Sequence, residues 1–157
     1  MIKHSETRNL RYTPRQMFDL VADIESYPDF IPWCSHVKTT SRIRNEVQNC
    51  EIVEAEMRIS FKVFSETFSS RVSLDHLSNE IVVEYLSGPF KFLNNKWVFK
   101  GCKSGCIIDF YVEFEFKSRI MQRLIGTVFN EAMRRVILSF EKRAADLYGI
   151  NELKEIN

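Results

Sequence analysis

Apolar and polar positions alternate with period two through the middle of the chain. In "VEAEMRISF", Val53, Ala55, Met57, Ile59 and Phe61 alternate with Glu54, Glu56, Arg58 and Ser60. That period predicts a strand with one buried face and one wet face. "FSSRVSL" continues it through Phe68, Ser70, Val72 and Leu74, and "EIVVEYL" is a further strand. "NNKWVFKGCKSGCIIDFYVEFEFK" reads as a long hairpin turning around Gly101 to Gly105. Its second arm puts Phe110, Val112, Phe114 and Phe116 on one face. Asp109, Tyr111, Glu113 and Glu115 take the other. "KHSETRNLRY" supplies a first strand, so β structure is expected at the start and from about residue 35 to 117.

Two segments carry the helical period instead. "TPRQMFDLVADI" offers Thr13 as N-cap, Pro14 at the first helical position and Gln16 to complete a capping box. Met17, Val21 and Ile24 then form an apolar stripe, and Pro28 ends the helix or starts a short second turn. Ser118 caps a final helix of roughly 30 residues, about 45 Å long. It ends near Tyr148, with Gly149 as its stop. Leu124, Val128, Ala132, Val136 and Phe140 form its stripe, widened by Met121, Ile125, Phe129, Met133 and Ile137. So wide a stripe needs a wide apolar partner, and an antiparallel sheet supplies one. The expected fold is α+β. A curved antiparallel sheet of about six or seven strands wraps around a long C-terminal helix, with a short helical pair after the first strand. Residues 1–150 are expected to form one domain and 151–157 a frayed tail.

One connection breaks the pattern. "YPDFIPWC", residues 27–34, follows a helix and precedes strands, yet it is apolar and proline-stiffened. Connections are usually polar, so this one is expected to cover an end of the sheet-and-helix core.

Composition adds a phenylalanine surplus, 13 in 157 residues. It fits either a thick core or an apolar cavity. Charge is nearly balanced, 22 Lys and Arg against 21 Asp and Glu, which argues against a surface built wholly for nucleic acid and against DNA as a partner. Cys34, Cys50, Cys102 and Cys106 lack paired zinc spacing. "MIKHSETRNL" does not read as a secretory leader, and no apolar run of about 18 residues exists to span a membrane. A cytoplasmic, reducing environment with free thiols is expected.

"YTPRQMFDLVADIESYPDFIPWC", "SGPFKFLNNKWVFK", "DFYVEFEFKSR" and "LIGTVFNEAMRRVILSFEKRAADLYG" resemble, in that order, the coenzyme Q-binding proteins of the START-like superfamily. That family is also called polyketide cyclase/dehydrase or oligoketide cyclase/lipid transport. The resemblance implies a helix-grip fold around a hydrophobic tunnel. It implies binding of ubiquinone or another polyprenyl lipid, in support of respiration or quinone synthesis, with no cofactor beyond that lipid. It places the protein peripherally on the inner face of the membrane. One branch of the family is a toxin that binds the large ribosomal subunit.

Catalytic signals are weak. His4 and His36 flank predicted strands, His76 sits near a turn, and no metal-ligand pair of histidines occurs. "GCKSGC" reads as two unpaired thiols in a hairpin. Asp109, Glu113 and Glu115 read as a solvated sheet face. The protein is expected not to be an enzyme; a polyketide cyclase or dehydratase working chiefly through cavity shape is the third reading, behind lipid binding and ribosome association. The candidate ligand-binding residues are Phe30, Ile31, Trp33, Phe61, Phe64, Phe68, Phe90, Phe92, Trp97, Phe110, Phe114, Leu124, Val128, Phe129 and Met133. By composition alone these side chains favour a packed core, since large aromatics dominate cores; the resemblance favours a cavity. Tyr85, Asn94, Asn95 and Arg71 are candidate donors to a polar head. Lys91, Lys96, Lys100 and Lys103, interleaved with Phe90, Phe92, Trp97 and Phe99, suggest a surface for a membrane or for RNA.

Overall fold

The computed structural model describes residues 1–61 and 64–149. The expected tail at 151–157 lies outside the described residues. The elements run β1 (Ile2–Leu10), α1 (Pro14–Ala22), a 3₁₀ turn (Ile24–Asp29), β2 (Cys34–Asn45), β3 (Cys50–Phe61), β4 (Phe64–Asp75), β5 (Glu80–Ser87), β6 (Phe90–Cys102), β7 (Gly105–Phe116) and α2 (Arg119–Tyr148). The strands form one sheet in the order β1-β7-β6-β5-β4-β3-β2. Every neighbouring pair is antiparallel. The fold is α+β, with the long helix lying across the inner face of the curled sheet.

Local chemistry sets the element ends. The Thr13 hydroxyl accepts from the Gln16 amide at 3.0 Å, and Gln16 Oε1 accepts from the Thr13 amide at 2.9 Å. This reciprocal box fixes the start of α1, which buries Met17, Phe18, Leu20 and Val21. Ser118 caps α2 by accepting from the Met121 amide at 3.2 Å. The β6–β7 hairpin closes through Cys102 opposite Gly105. Gly105 has φ +141, and a Cβ there would lie 2.3 Å from the Leu10 carbonyl oxygen. No other residue fits so close an approach.

These contacts define two ends. At the closed end, α1 packs under the turns. Phe18 meets Phe99 and the His76 ring at centroid distances of 5.7 and 5.0 Å, and Arg15 donates to the His76 carbonyl at 3.0 Å. At the other end lie the paired strand ends Phe61 and Phe64, the β5–β6 connection, the β7–α2 junction and residues 30–33. Buried side chains divide the same way. One cluster, around Phe18, Val53, Leu74, Ile81 and Phe140, fills the closed end. The second, Phe64, Phe90, Phe114, Phe116 and Phe129, lies toward the other.

Candidate functional site

Between sheet and helix lies a cavity of about 340 Å³. That is at the small end of the roughly 300–1,000 Å³ typical of small-molecule sites. Its wall reflects strand periodicity. Ala55, Met57, Ile59 and Phe61 of β3 face inward, as do Phe68, Ser70 and Val72 of β4 and Phe110, Val112, Phe114 and Phe116 of β7. Helix α2 contributes Ile125, Val128, Phe129, Ala132, Met133, Val136 and Phe140. Ile31, Pro32 and Trp33 complete the wall, so the apolar connection at 27–34 does cover part of the cavity. Trp33 meets Phe61 edge-on at 5.0 Å, and its carbonyl accepts from the Ser60 amide at 2.8 Å. Its φ of 67° is left-handed, a region bulky side chains rarely enter.

The structure places most of the sequence candidates on this wall: Ile31, Trp33, Phe61, Phe64, Phe68, Phe90, Trp97, Phe110, Phe114, Val128, Phe129 and Met133. Three lie elsewhere. Phe30 comes just after the 3₁₀ turn and packs behind the wall, edge-on to Phe140 at 5.4 Å and under the Arg143 guanidinium at 5.1 Å. Phe92 is turned outward by a register shift: Phe90 pairs with Phe116, but Phe92 pairs with Glu115 of the outer face. A bulge inserts one extra residue and reverses the facing of the residues beyond it, so Leu93 and Asn95 face in instead. Leu124 sits about 40° round the helix beyond Val128, the edge of the cavity stripe.

The same pleat corrects the proposed basic and aromatic surface. Phe90, Trp97 and Phe99 point inward, while Lys91, Lys96 and Lys100 are exposed. Those three lysines pair with carboxylates of neighbouring strands: Lys91 with Glu115 at 3.1 Å, Lys96 with Glu80 at 3.1 Å and Lys100 with Asp109 at 2.9 Å. Lys103 is exposed in the hairpin turn. Segment 85–108 has no acid of its own, but its strand neighbours supply them. What read as one mixed surface is largely two faces of a sheet, with Phe92 alone of the four rings on the lysine side.

Few polar groups reach the cavity. Asn95 Nδ2 donates to the Tyr111 carbonyl at 2.8 Å, and its Oδ1 accepts from Trp97 Nε1 at 3.1 Å. Ser70, 7% exposed, makes no side-chain hydrogen bond among the described residues. The Tyr27 hydroxyl is committed to the Val21 carbonyl. Burial, then Cys34 and Asp23, hold its pKa well above the usual tyrosine value. Burial likewise pushes the Cys34 thiol up to about 11. Glu66 lines the cavity yet is exposed, so the wall meets solvent beside it, at the β3–β4 end. Of the other candidate donors, Tyr85 accepts from the Phe90 amide at 3.1 Å. Asn94 donates to Glu113 at 3.0 Å, and Arg71 pairs with Glu54 and Glu84 on the outer face.

Periodicity missed one polar group. The inward face of β1 carries His4, Glu6 and Arg8 between the apolar Ile2 and Leu10. His4, expected to flank a strand, lies within β1. Arg8 pairs with Glu141 of α2, and His4 Nε2 lies 3.1 Å from Glu6 Oε1. Glu6, Arg8 and Glu141 border a second space of about 40 Å³ that shares Trp97, Phe110 and Met133 with the main cavity. A strand with polar residues on both faces leaves no period to read. Among the described residues no group of three His, Cys, Asp or Glu side chains is arranged to hold a metal. All four cysteines are free, and among the described residues no helix is long and apolar enough to cross a membrane.

Residues 10–141 match the family model described as polyketide cyclase / dehydrase and lipid transport. The ribosome association toxin RatA of Rickettsia prowazekii is 37% identical, over 94% of this chain and 99% of its own. A mitochondrial coenzyme Q-binding protein COQ10 homolog B of Xenopus laevis is 32% identical; the match covers 97% of this chain but 62% of that longer protein. The solution structure of an 18 kDa protein from Caulobacter crescentus superposes with a TM-score of 0.80 at 36% identity, covering 95% and 99% of the two chains. A Streptomyces aromatase/cyclase shares the fold, with a TM-score of 0.72 at 12% identity over 91% and 92%.

Proposed function

The chain belongs to the polyketide cyclase / dehydrase and lipid transport family, and from that premise we propose that it holds a quinone or a related polyprenyl lipid without transforming it. The observation that carries this reading is the 340 Å³ cavity, walled almost wholly by apolar side chains. Each buried CH₂ of a prenyl tail gains about 0.8 kcal/mol. The polar head would find Ser70 and Asn95, set on β4 and β6 with β5 between them. The similarity to a coenzyme Q-binding protein supports ubiquinone as the lipid. A binding role also fits the chemistry of the wall. Ser70 has no base bonded to it, and the carboxylate of Glu66 sits at the rim rather than facing a second titratable group inside.

Organic extraction of the purified protein, with mass spectrometry of the extract, tests the reading. Expressed in a quinone-replete host, the parent protein carries a stoichiometric isoprenoid lipid. Val128→Asp places a charge at the edge of the cavity stripe and abolishes retention while leaving the circular dichroism spectrum unchanged. An extract without lipid from the folded parent overturns the proposal.

A second reading is ribosome association, favoured by the 37% identity to a ribosome association toxin over nearly the full length of both chains. Co-sedimentation with large ribosomal subunits, titrated with salt, tests it. Binding that survives moderate salt supports this reading; a parent protein that stays in the supernatant at low salt removes it.

A further inference from the structure

The rim of the cavity and the start of α2 occupy the same end of the sheet. Phe116, the last residue of β7, packs edge-on to Phe64 of the rim at 5.4 Å. The chain then runs through Lys117, Ser118, Arg119 and Ile120, all exposed. Ile120 is 80% exposed, the most exposed large apolar side chain of α2. Lys117, Arg119 and the exposed Arg123 surround it in sequence and make no ion pair among the described residues. Further along the same helix Arg134 and Arg135 share Glu131, Lys142 pairs with Asp146, and Arg143 lies over the Phe30 ring. Three exposed cations without an ion pair among the described residues therefore gather at the start of α2, at the end where the cavity reaches solvent.

We propose that this end is the docking surface for an anionic lipid bilayer, with Lys117, Arg119 and Arg123 on the headgroups and Ile120 inserted below them. The inference rests on the lipid-binding reading and names the surface through which that cavity meets the membrane. Three unmatched cations complement anionic headgroups. An exposed isoleucine among them supplies the apolar contact that electrostatics alone lacks. RNA suits the patch less well. Stacking needs exposed rings; Phe61, Phe64 and Phe116 at this end face the cavity, and Phe92, which faces outward, sits opposite the Glu115 carboxylate rather than among the three cations. Docked in this way, the rim beside Glu66 lies against the bilayer, and a tail can pass between lipid and cavity without crossing water.

The test is co-sedimentation of the full chain with vesicles, either pure phosphatidylcholine or three parts phosphatidylcholine to one part phosphatidylserine. The parent is expected to bind the anionic vesicles and not the neutral ones. Each lost cation weakens binding about fivefold at low salt, so Lys117→Gln/Arg119→Gln/Arg123→Gln falls by roughly a hundredfold. Ile120→Ser loses binding that salt does not explain. Ile120→Trp gains an emission component, absent from the parent, that shifts to the blue on adding anionic vesicles. Lipid extraction from the same variants keeps two failures apart. Variants that keep their lipid but lose vesicle binding support the surface, whereas a parent without lipid overturns the cavity reading beneath it. Vesicle binding unchanged in the triple variant, or an Ile120→Trp tryptophan that stays in water, overturns the proposal. So does a parent that ignores vesicles while its binding to large ribosomal subunits is lost in the triple variant, because the patch is then an RNA surface.

Discussion

Cys34 and Cys106 illustrate what position does to an ordinary side chain. Both are thiols on strands, 5% and 0% exposed, and burial raises each to about 11. Cys102, beside the same hairpin turn as Cys106, moves the other way, because the Ser104 hydroxyl hydrogen-bonds it. Nothing in "GCKSGC" separates these fates; only the strand register does, turning Cys106 inward. The raised values fix the sign of a pH effect. Folded Cys34 and Cys106 keep their protons above pH 9, where unfolded thiols lose theirs. Their contribution is thus fully present below about pH 9 and is lost as pH rises toward 11. Each contributes a slope of at most about 1.4 kcal/mol per pH unit in that window. Urea unfolding across pH 8–11 should show stability falling, and falling less steeply in Cys34→Ala/Cys106→Ala. Equal slopes in the two proteins would show that the thiols ionise alike folded and unfolded. A second check at this scale is labelling with an aromatic disulfide at pH 8: Cys102 reacts in the native protein, while Cys34 and Cys106 wait for unfolding.

Elements with a strong local code were legible in the sequence. The alternation in "VEAEMRISF" gave the inward set of β3 residue by residue, and the stripe on α2 gave its cavity face. Thr13 and Gln16 announced the start of α1. What defeated the reading was geometry that carries no local signature. A bulge between Phe90 and Phe92 swaps which aromatic faces in. The 3₁₀ turn aims Phe30 behind the wall. The pairing of Lys91, Lys96 and Lys100 depends on carboxylates of other strands. The polar inner face of β1 is set by its partner Glu141, 133 residues from Arg8. Because α1 buries its apolar face in the closed-end cluster, its cap should matter to the whole molecule. Thr13→Ala is expected to cost about 1 kcal/mol of unfolding free energy, read by urea denaturation with an unchanged m-value. No change in the midpoint would mean that packing alone holds α1 in place.

At the scale of the molecule, the sheet and the long helix enclose space that a packed core would fill. Protein interiors are normally close-packed, so side chains that line a volume of about 340 Å³ between sheet and helix depart from core packing in the direction a binding site requires. The phenylalanine surplus was visible in composition, but whether those rings fill or merely surround a space depended on how far the sheet curls, and no single stretch encodes that. The distinction is testable at Ala55, which is 5% exposed and faces the cavity from the middle of β3. Ala55→Leu extends three carbons into the space. If the space is empty, the variant gains up to about 2 kcal/mol from burial, a rise of a few degrees in melting temperature for a chain of this size. It also takes volume from the ligand, so retention of the extracted lipid should fall together with the rise in stability measured on delipidated protein. A packed core behaves in the opposite way, because overpacking costs about 1–3 kcal/mol. A lower melting temperature in the delipidated variant would therefore mean that the wall closes up when no ligand is present.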